Sequence, residues 1–264
     1  MEREARSGSA PYRQRVDLHV LGPVAAFDGG RRLPLGGTKQ RTVLALVIAS
    51  AGRVVSADAL ITGVYGDDAS DGARRTIHTY VSNLRRELGD AIVPAGHGYQ
   101  LGLDSSVVDA VRFEKLYRDG AAVVETSPEQ AATLLRDALG LWQGRAYADV
   151  EAHTVLTAEA VRLSEVRIAA LEERIGADVA LGLHRDVIGE LEALVAEYPF
   201  REGLRALQMV ALYRSGRQSE ALRAFSRTRE FLGEELGIEP SPDLQELEQQ
   251  ILVQDPDLDL RARK

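Results

Sequence analysis

Residues 71–88 read Asp-Gly-Ala-Arg-Arg-Thr-Ile-His-Thr-Tyr-Val-Ser-Asn-Leu-Arg-Arg-Glu-Leu. At about 100° per residue, Ile77, Val81, Leu84 and Leu88 fall on one narrow stripe, which must face a core. Opposite them lie Arg75, Thr79, Ser82 and Arg86, with Thr76, His78, Asn83 and Arg85 between. The outward surface holds no acidic residue before Glu87. Such side chains bond to base edges and phosphates: Arg clamps guanine, Asn clamps adenine, and Ser or Thr serves either a base or a phosphate. Arg74 and Arg75 occupy the first turn, where the helix dipole favours anions. A bound phosphate would use both the positive helix end and the Arg pair. The bland alternative is a solvated amphipathic helix with a basic face. What comes next weighs against it. Ile92-Val93, a turn at Pro94–Gly98 and Tyr99-Gln100-Leu101 read as a β-hairpin, with Tyr99, Leu101 and Leu103 on one face. A helix followed by such a wing is a recurrent DNA-reading arrangement.

The elements around this helix are legible too. Val16–Leu21, Val24–Phe27 and Arg31–Leu35 read as short strands, broken at Gly22-Pro23 and at Asp28-Gly29-Gly30, a hairpin signal. Thr38 is the expected N-cap of a first helix through Ala51, whose Val43, Leu44, Leu46, Val47 and Ile48 make it central to a core. Ser56 caps a short second helix ending near Tyr65. A polar loop, Gly66–Ser70, leads to Asp71, the expected cap of the third, which Gly89 ends. From Asp109 the chain turns into helix pairs, expected over 111–124, 128–142, 157–181, 185–197, 200–215, 218–233 and 242–253. Two helices, a Gly-bearing turn and a unit of about 34 residues point to tetratricopeptide-like packing; a non-repeating helical bundle is the alternative. Residues 1–15 are expected to be a disordered lead-in, and the acidic stretch 255–259 to be frayed.

Charge separates along the same line. The 264-residue chain carries a net charge of −8, which at first opposes a nucleic-acid role. Residues 1–108, however, hold 13 Arg or Lys against 11 Asp or Glu, and the remainder 19 against 29. Only the first part suits a phosphate backbone. No apolar run approaches the ~20 residues that span a bilayer, and the first ten residues lack the apolar core of a signal peptide. There are no cysteines, so disulfides, thiolate metal sites and cysteine nucleophiles drop out together.

Catalysis finds no constellation. His19, His78, His97, His153 and His184 are scattered, with no pair at metal-ligand spacing. Gly36-Gly37-Thr38-Lys39 lacks the spacing of a phosphate loop. Gly96-x-Gly98 lacks a third glycine and a following helix. The run 255–259 lacks the Gly and Glu of a calcium loop. Trp142 is expected to pack in a core. The reading is a non-enzyme with no metal and no cofactor.

Together these pieces resemble a known family. The N-terminal sheet, Thr38-Lys39-Gln40-Arg41, Val54-Val55-Ser56 before Leu60-Ile61, the stretch 75–88 and the wing Gly96-His97-Gly98-Tyr99-Gln100-Leu101 are similar to an OmpR-type winged-helix domain. Glu234-Glu235-Leu236-Gly237-Ile238-Glu239-Pro240-Ser241-Pro242-Asp243-Leu244, with Tyr198-Pro199-Phe200-Arg201-Glu202 before it, resembles the bacterial transcriptional activation domain. The pair in this order resembles the Streptomyces antibiotic regulatory proteins. The fold class is therefore mainly α with a small antiparallel β part: an N-terminal winged helix-turn-helix over 16–107, then an all-α tetratricopeptide-like domain over 108–255 and a tail over 256–264.

The resemblance implies a cytoplasmic transcriptional activator of secondary-metabolite (antibiotic) gene clusters. It would bind tandem direct repeats near a promoter −35 element, as a dimer or higher assembly, and contact RNA polymerase including its sigma factor, with no membrane involvement. By position, Thr79, Tyr80, Ser82, Asn83 and Arg85 match base- or phosphate-contacting residues. Lys39 and Arg41 match backbone contacts, and His97 and Tyr99 belong to the wing. Asp67, Asp68 and Ser70 lie in the loop that touches polymerase. Response regulators of the OmpR type carry a phosphorylated receiver ahead of the winged helix, for which about fifteen residues leave no seat. Larger family members continue into a nucleotide-binding switch domain, so the chain reads equally as a small member or as part of a larger one. The alternative function is a helical interaction scaffold, or a repressor whose winged helix binds DNA without activating.

Overall fold

The computed structural model describes residues 16–150 and 153–259. The expected lead-in at 1–15 lies outside them. The chain divides into two compact units: residues up to Phe113 together with Leu141–Ser164, and Glu114–Gly140 together with the chain from Glu165.

The first unit opens on an antiparallel sheet of β1 (Val16–His19), β2 (Ala25–Asp28) and β3 (Arg31–Arg32), in that spatial order. Leu18 faces Ala26 in the register, and both are fully buried. α1 (Thr38–Ala49) follows, with Val43, Leu44, Ala45 and Val47 at 0% exposure. An unbroken apolar run of this kind makes a helix covered on most sides. β4 (Val55–Ser56) then leads into α2 (Ala57–Tyr65). The Ser56 hydroxyl accepts a hydrogen bond from Ala59 N at 3.0 Å, the expected cap. The other two expected caps are corrected. Gly37 and Gly72 hold the N-cap positions of α1 and of α3 (Ala73–Leu88), and neither helix has a side-chain cap bond. α1 begins one residue earlier than a Thr38 cap requires, and α3 one residue later than an Asp71 cap requires.

α3 packs its stripe Ile77, Val81, Leu84 and Leu88 inward at 0–2% exposure. Gly89 ends it in the left-handed region at φ 60°. β5 (Ile92–Ala95) and β6 (Gly98–Leu101) form the wing, and β4 joins them to give the order β4-β6-β5. This third strand is absent from the sequence reading, because two residues carry no periodicity. Gly98 is what lets it join: a Cβ there would stand 2.0 Å from Val55 O. Gly98→Ala should therefore part β4 from β6 and cost about 1–3 kcal/mol, as forced overpacking does; thermal unfolding of the variant checks it. An unchanged midpoint would show that the strands can separate freely.

Residues 108–113 and 141–164 pack in the same compact unit as residues 16–107. The reason is a set of hydrogen bonds that local pattern does not encode. Asp109, at the start of α4 (Asp109–Ala121), is 1% exposed. Its carboxylate accepts from Val20 N at 2.8 Å, Leu21 N at 3.2 Å and Ala110 N at 2.8 Å. Farther on, Gln143 N and Tyr147 N donate to Leu21 O and Val20 O at 2.8 and 2.9 Å. Trp142 meets Phe113 edge-to-face, with centroids 5.4 Å apart.

The second unit contains α5 (Pro128–Leu139), the later part of α6 (Thr154–Ala180), α7 (Ile188–Glu197), α8 (Glu202–Arg214), α9 (Gln218–Leu236) and α10 (Pro242–Val253). α8 packs on both α7 and α9. Ala211, Ala221 and Ala224 sit at 0% exposure where these helices cross. The expected fraying of 255–259 is overturned. Pro256–Leu258 makes a 3-10 turn, Leu258 is buried, and its carbonyl accepts from Arg214 Nε at 2.7 Å. Among the described residues, no helix is long and apolar enough to cross a membrane.

Candidate nucleic-acid interface

α3 and the wing enclose an open groove of about 730 Å³. Arg74, His78, Ser82, Arg85 and Arg86 line it from the helix, and His97 and Tyr99 from the wing. Asp90 is the one acidic residue of its lining. Seven of the fourteen positions expected to touch DNA thus meet at one concavity. Thr79 and Arg75 lie on the exposed surface of the same helix.

Charge on this face is unequally committed. Arg74 is ion-paired with Asp58 of α2, and Arg86 with its neighbour Glu87 at 3.2 Å. Both pairs are exposed, so water competes with them and they hold the guanidinium groups weakly. Arg75 and Arg85 are exposed, and among the described residues neither has an ion pair or a side-chain hydrogen bond. Two such cations on one helix face attract phosphate without first breaking a salt bridge.

Several expected residues have internal partners. Arg41 is held tightly: its Nε is 2.9 Å from Asp149 Oδ2, and its Nη1 donates to Gly36 O at 2.7 Å. Its part in the structure is to tie the start of α1 to the segment 141–150 of the same unit. Lys39 stands 4.3 Å from the centre of the Tyr65 ring, a cation–π contact. Tyr80 shares a hydrogen bond with Tyr65, which together with burial raises its phenol above the usual value. Asn83 Nδ2 donates to Gln40 Oε1 at 3.3 Å. Thr76 and Thr79 hydroxyls bond back to Gly72 O and Arg75 O at 3.2 and 3.1 Å, long enough to exchange for a ligand oxygen.

The wing packs against the helix and shares a polar pair with it. His78 Nδ1 and Tyr99 Oη are 2.6 Å apart. Tyr99 is 8% exposed; burial raises its phenol, and Arg85 nearby lowers it in part. The hydrogen bond joins β6 to α3 beside the exposed turn at Gly96 and His97. Gly96 makes that turn in the left-handed region at φ 53°. The loop residues Asp67, Asp68 and Ser70 are all exposed, in and after a 3-10 turn over Gly66–Asp68. Sequence reasoning missed Asp58, Gln40, Tyr65 and Asp149, the partners that aim Arg74, Asn83, Lys39 and Arg41. Each acts across a tertiary contact between separate elements, for which the sequence carries no local signal.

Comparison with known proteins agrees with this arrangement. Residues 30–101 match the family model described as transcriptional regulatory protein, C terminal, and residues 108–252 match the bacterial transcriptional activator domain. Regulatory protein AfsR of Streptomyces griseus is 42% identical over 97% of this chain, which spans 26% of AfsR. Regulatory protein DnrI of Streptomyces peucetius is 37% identical, with 92% of this chain and 94% of DnrI covered. The solved structure of Mycobacterium tuberculosis EmbR in complex with a low-affinity phosphopeptide is 36% identical. It superposes with a TM-score of 0.87 over 92% of this chain and 66% of EmbR. An OmpR-type reader followed by an activator domain, over nearly all of DnrI's length, places the chain in the family of Streptomyces antibiotic regulatory proteins, which are transcriptional regulators.

Proposed function

We propose that the chain is a sequence-specific transcriptional activator that seats α3 in the major groove of promoter DNA. The wing turn at His97 then lies against the adjacent backbone or minor groove. The observation that carries this reading is the exposed face of α3, where, among the described residues, Arg75 and Arg85 stand without carboxylate partners beside a groove with a single acidic lining residue. Ser82 and Asn83 supply base-edge chemistry, with Asn83 leaving Gln40 when it turns to an adenine. Thr76, Thr79, Arg74 and Arg86 serve bases or phosphates, and Lys39 approaches the backbone from α1. Tyr80 and Arg41 support this face from within.

Two or more copies occupy tandem direct repeats near a −35 element and recruit RNA polymerase, sigma factor included, through Asp67, Asp68 and Ser70. The regulated genes belong to a secondary-metabolite cluster, and the site of action is the cytoplasm, where that DNA lies. An electrophoretic shift titrated with salt tests the DNA contact. Affinity should fall linearly with salt on logarithmic axes, by a slope of roughly −0.9 per phosphate neutralised; a flat profile would refute it. Asp67→Asn with Asp68→Asn should leave the shift intact and lower transcription in vitro. Transcription equal to wild type would remove the loop from the polymerase contact.

A further inference from the structure

The second unit holds a cleft of about 320 Å³ between α7, α8 and α9. Its size sits at the lower end of small-molecule pockets. One wall comes from α8, where Arg205, Gln208 and Leu212 share a face at helical spacing. Glu220 and Arg227 of α9 oppose it. Val195 and Ala196 of α7 supply an apolar side, next to Glu192.

The polar groups of this cleft are incompletely satisfied. Gln208 is 4% exposed, and its Oε1 has no hydrogen-bond partner among the described residues. An acceptor shut from water without a donor costs about 1–3 kcal/mol. Arg205 Nε is likewise buried and unpartnered. Burial pushes the Arg205 guanidinium below its usual value, and the neighbouring Arg227 adds to it. Neither arginine has an ion pair among the described residues. Glu220, which lines the cleft from Arg227's own helix, commits both oxygens to Arg217 at 2.7 Å. Two cations side by side, with the nearby carboxylate taken, fit an anion. A lone acceptor beside Glu192 fits an N–H donor.

We propose that this cleft binds a small molecule of amino-acid type. Its carboxylate sits on Arg205 and Arg227. Its nitrogen donates to Gln208 Oε1 and faces Glu192, and a short apolar body lies against Val195, Ala196 and Leu212. The inference is independent of the DNA-binding reading, because every residue it uses lies in the helical unit.

Isothermal titration of the full chain with the standard L-amino acids tests it, each binder being repeated as its carboxamide and as its deaminated acid. At least one amino acid should bind, and its carboxamide should bind about tenfold more weakly or worse, the loss expected when a charged hydrogen-bond partner goes. Arg205→Met should weaken the amino acid by a similar factor at an unchanged unfolding midpoint. Gln208→Leu should weaken the amino acid but not the deaminated acid. Should Arg205→Met fail to fold, the exposed Arg227→Met carries the same expectation. The proposal is overturned if no amino acid binds the wild-type chain, if the carboxamide binds equally well, or if both arginine variants bind like wild type.

Discussion

Removing Arg75 and Arg85 together, as Arg75→Ala with Arg85→Ala, should weaken binding to the operator by about 3–6 kcal/mol, at ~1.5–3 kcal/mol for each charge-assisted hydrogen bond to the DNA that is lost. The fold should not notice. Both residues are exposed and neither makes an ion pair or side-chain hydrogen bond among the described residues. Surface changes of this kind stay within about 0.5 kcal/mol of wild-type stability. The variant should therefore keep its unfolding midpoint while losing its shift on promoter DNA. A midpoint that falls along with affinity would mean that the arginines hold the fold and that their DNA role is indirect. Arg41→Ala is the natural contrast. Its guanidinium binds Asp149 and Gly36 O within the unit, so its loss should appear first in stability and only through that in affinity.

The largest expected loss of stability comes from Asp109→Ala. The side chain is 1% exposed and accepts three backbone N–H groups, two of them from Val20 and Leu21 at the end of the first strand. Truncation leaves those two donors buried without an acceptor, at ~1–3 kcal/mol each. A loss of about 3 kcal/mol or more follows, measurable by urea unfolding. Asp109→Asn retains an acceptor oxygen and should lose less. Burial raises the Asp109 carboxyl, while these N–H groups and His19 pull it back. Its folded value therefore lies above the unfolded one. For a raised carboxyl, stability is greatest below the unfolded pKa and is lost as pH rises through the folded one. Asp109→Asn should remove that dependence in the acid range. An Asn variant with the wild-type pH profile would show that another group sets it.

The reading of α3 from sequence was good because one helix carries its own evidence. Ile77, Val81, Leu84 and Leu88 recur at helical spacing, and the structure buries all four. Their opposite face is then determined by geometry alone. The wing was equally local, since Gly96 and Gly98 mark a turn between alternating residues. Ser56 was legible as a cap, whereas Thr38 and Asp71 were not caps at all. All three are good capping types, and the difference lies in where the backbone turns, which Gly37 and Gly72 decide. What stayed invisible is what crosses the chain. The Asp109 carboxylate reaches back 89 residues to Val20, and Asp149 reaches 125 to Val24. These bonds draw 108–113 and 141–164 into the first compact unit, which a change from strands to helices does not signal. The same distance hid the internal partners of Lys39, Tyr80 and Asn83.

Footprinting of the chain on the promoters of its neighbouring genes tests the central claim most directly, with wild type and the Arg75, Arg85 double variant side by side. Wild type should protect tandem repeats beside the −35 element, one repeat per copy, and the double variant should protect none at the same concentration. Protection by the double variant at the same bases, or no protected repeat with the wild-type chain, would contradict the assignment of DNA reading to the exposed face of α3.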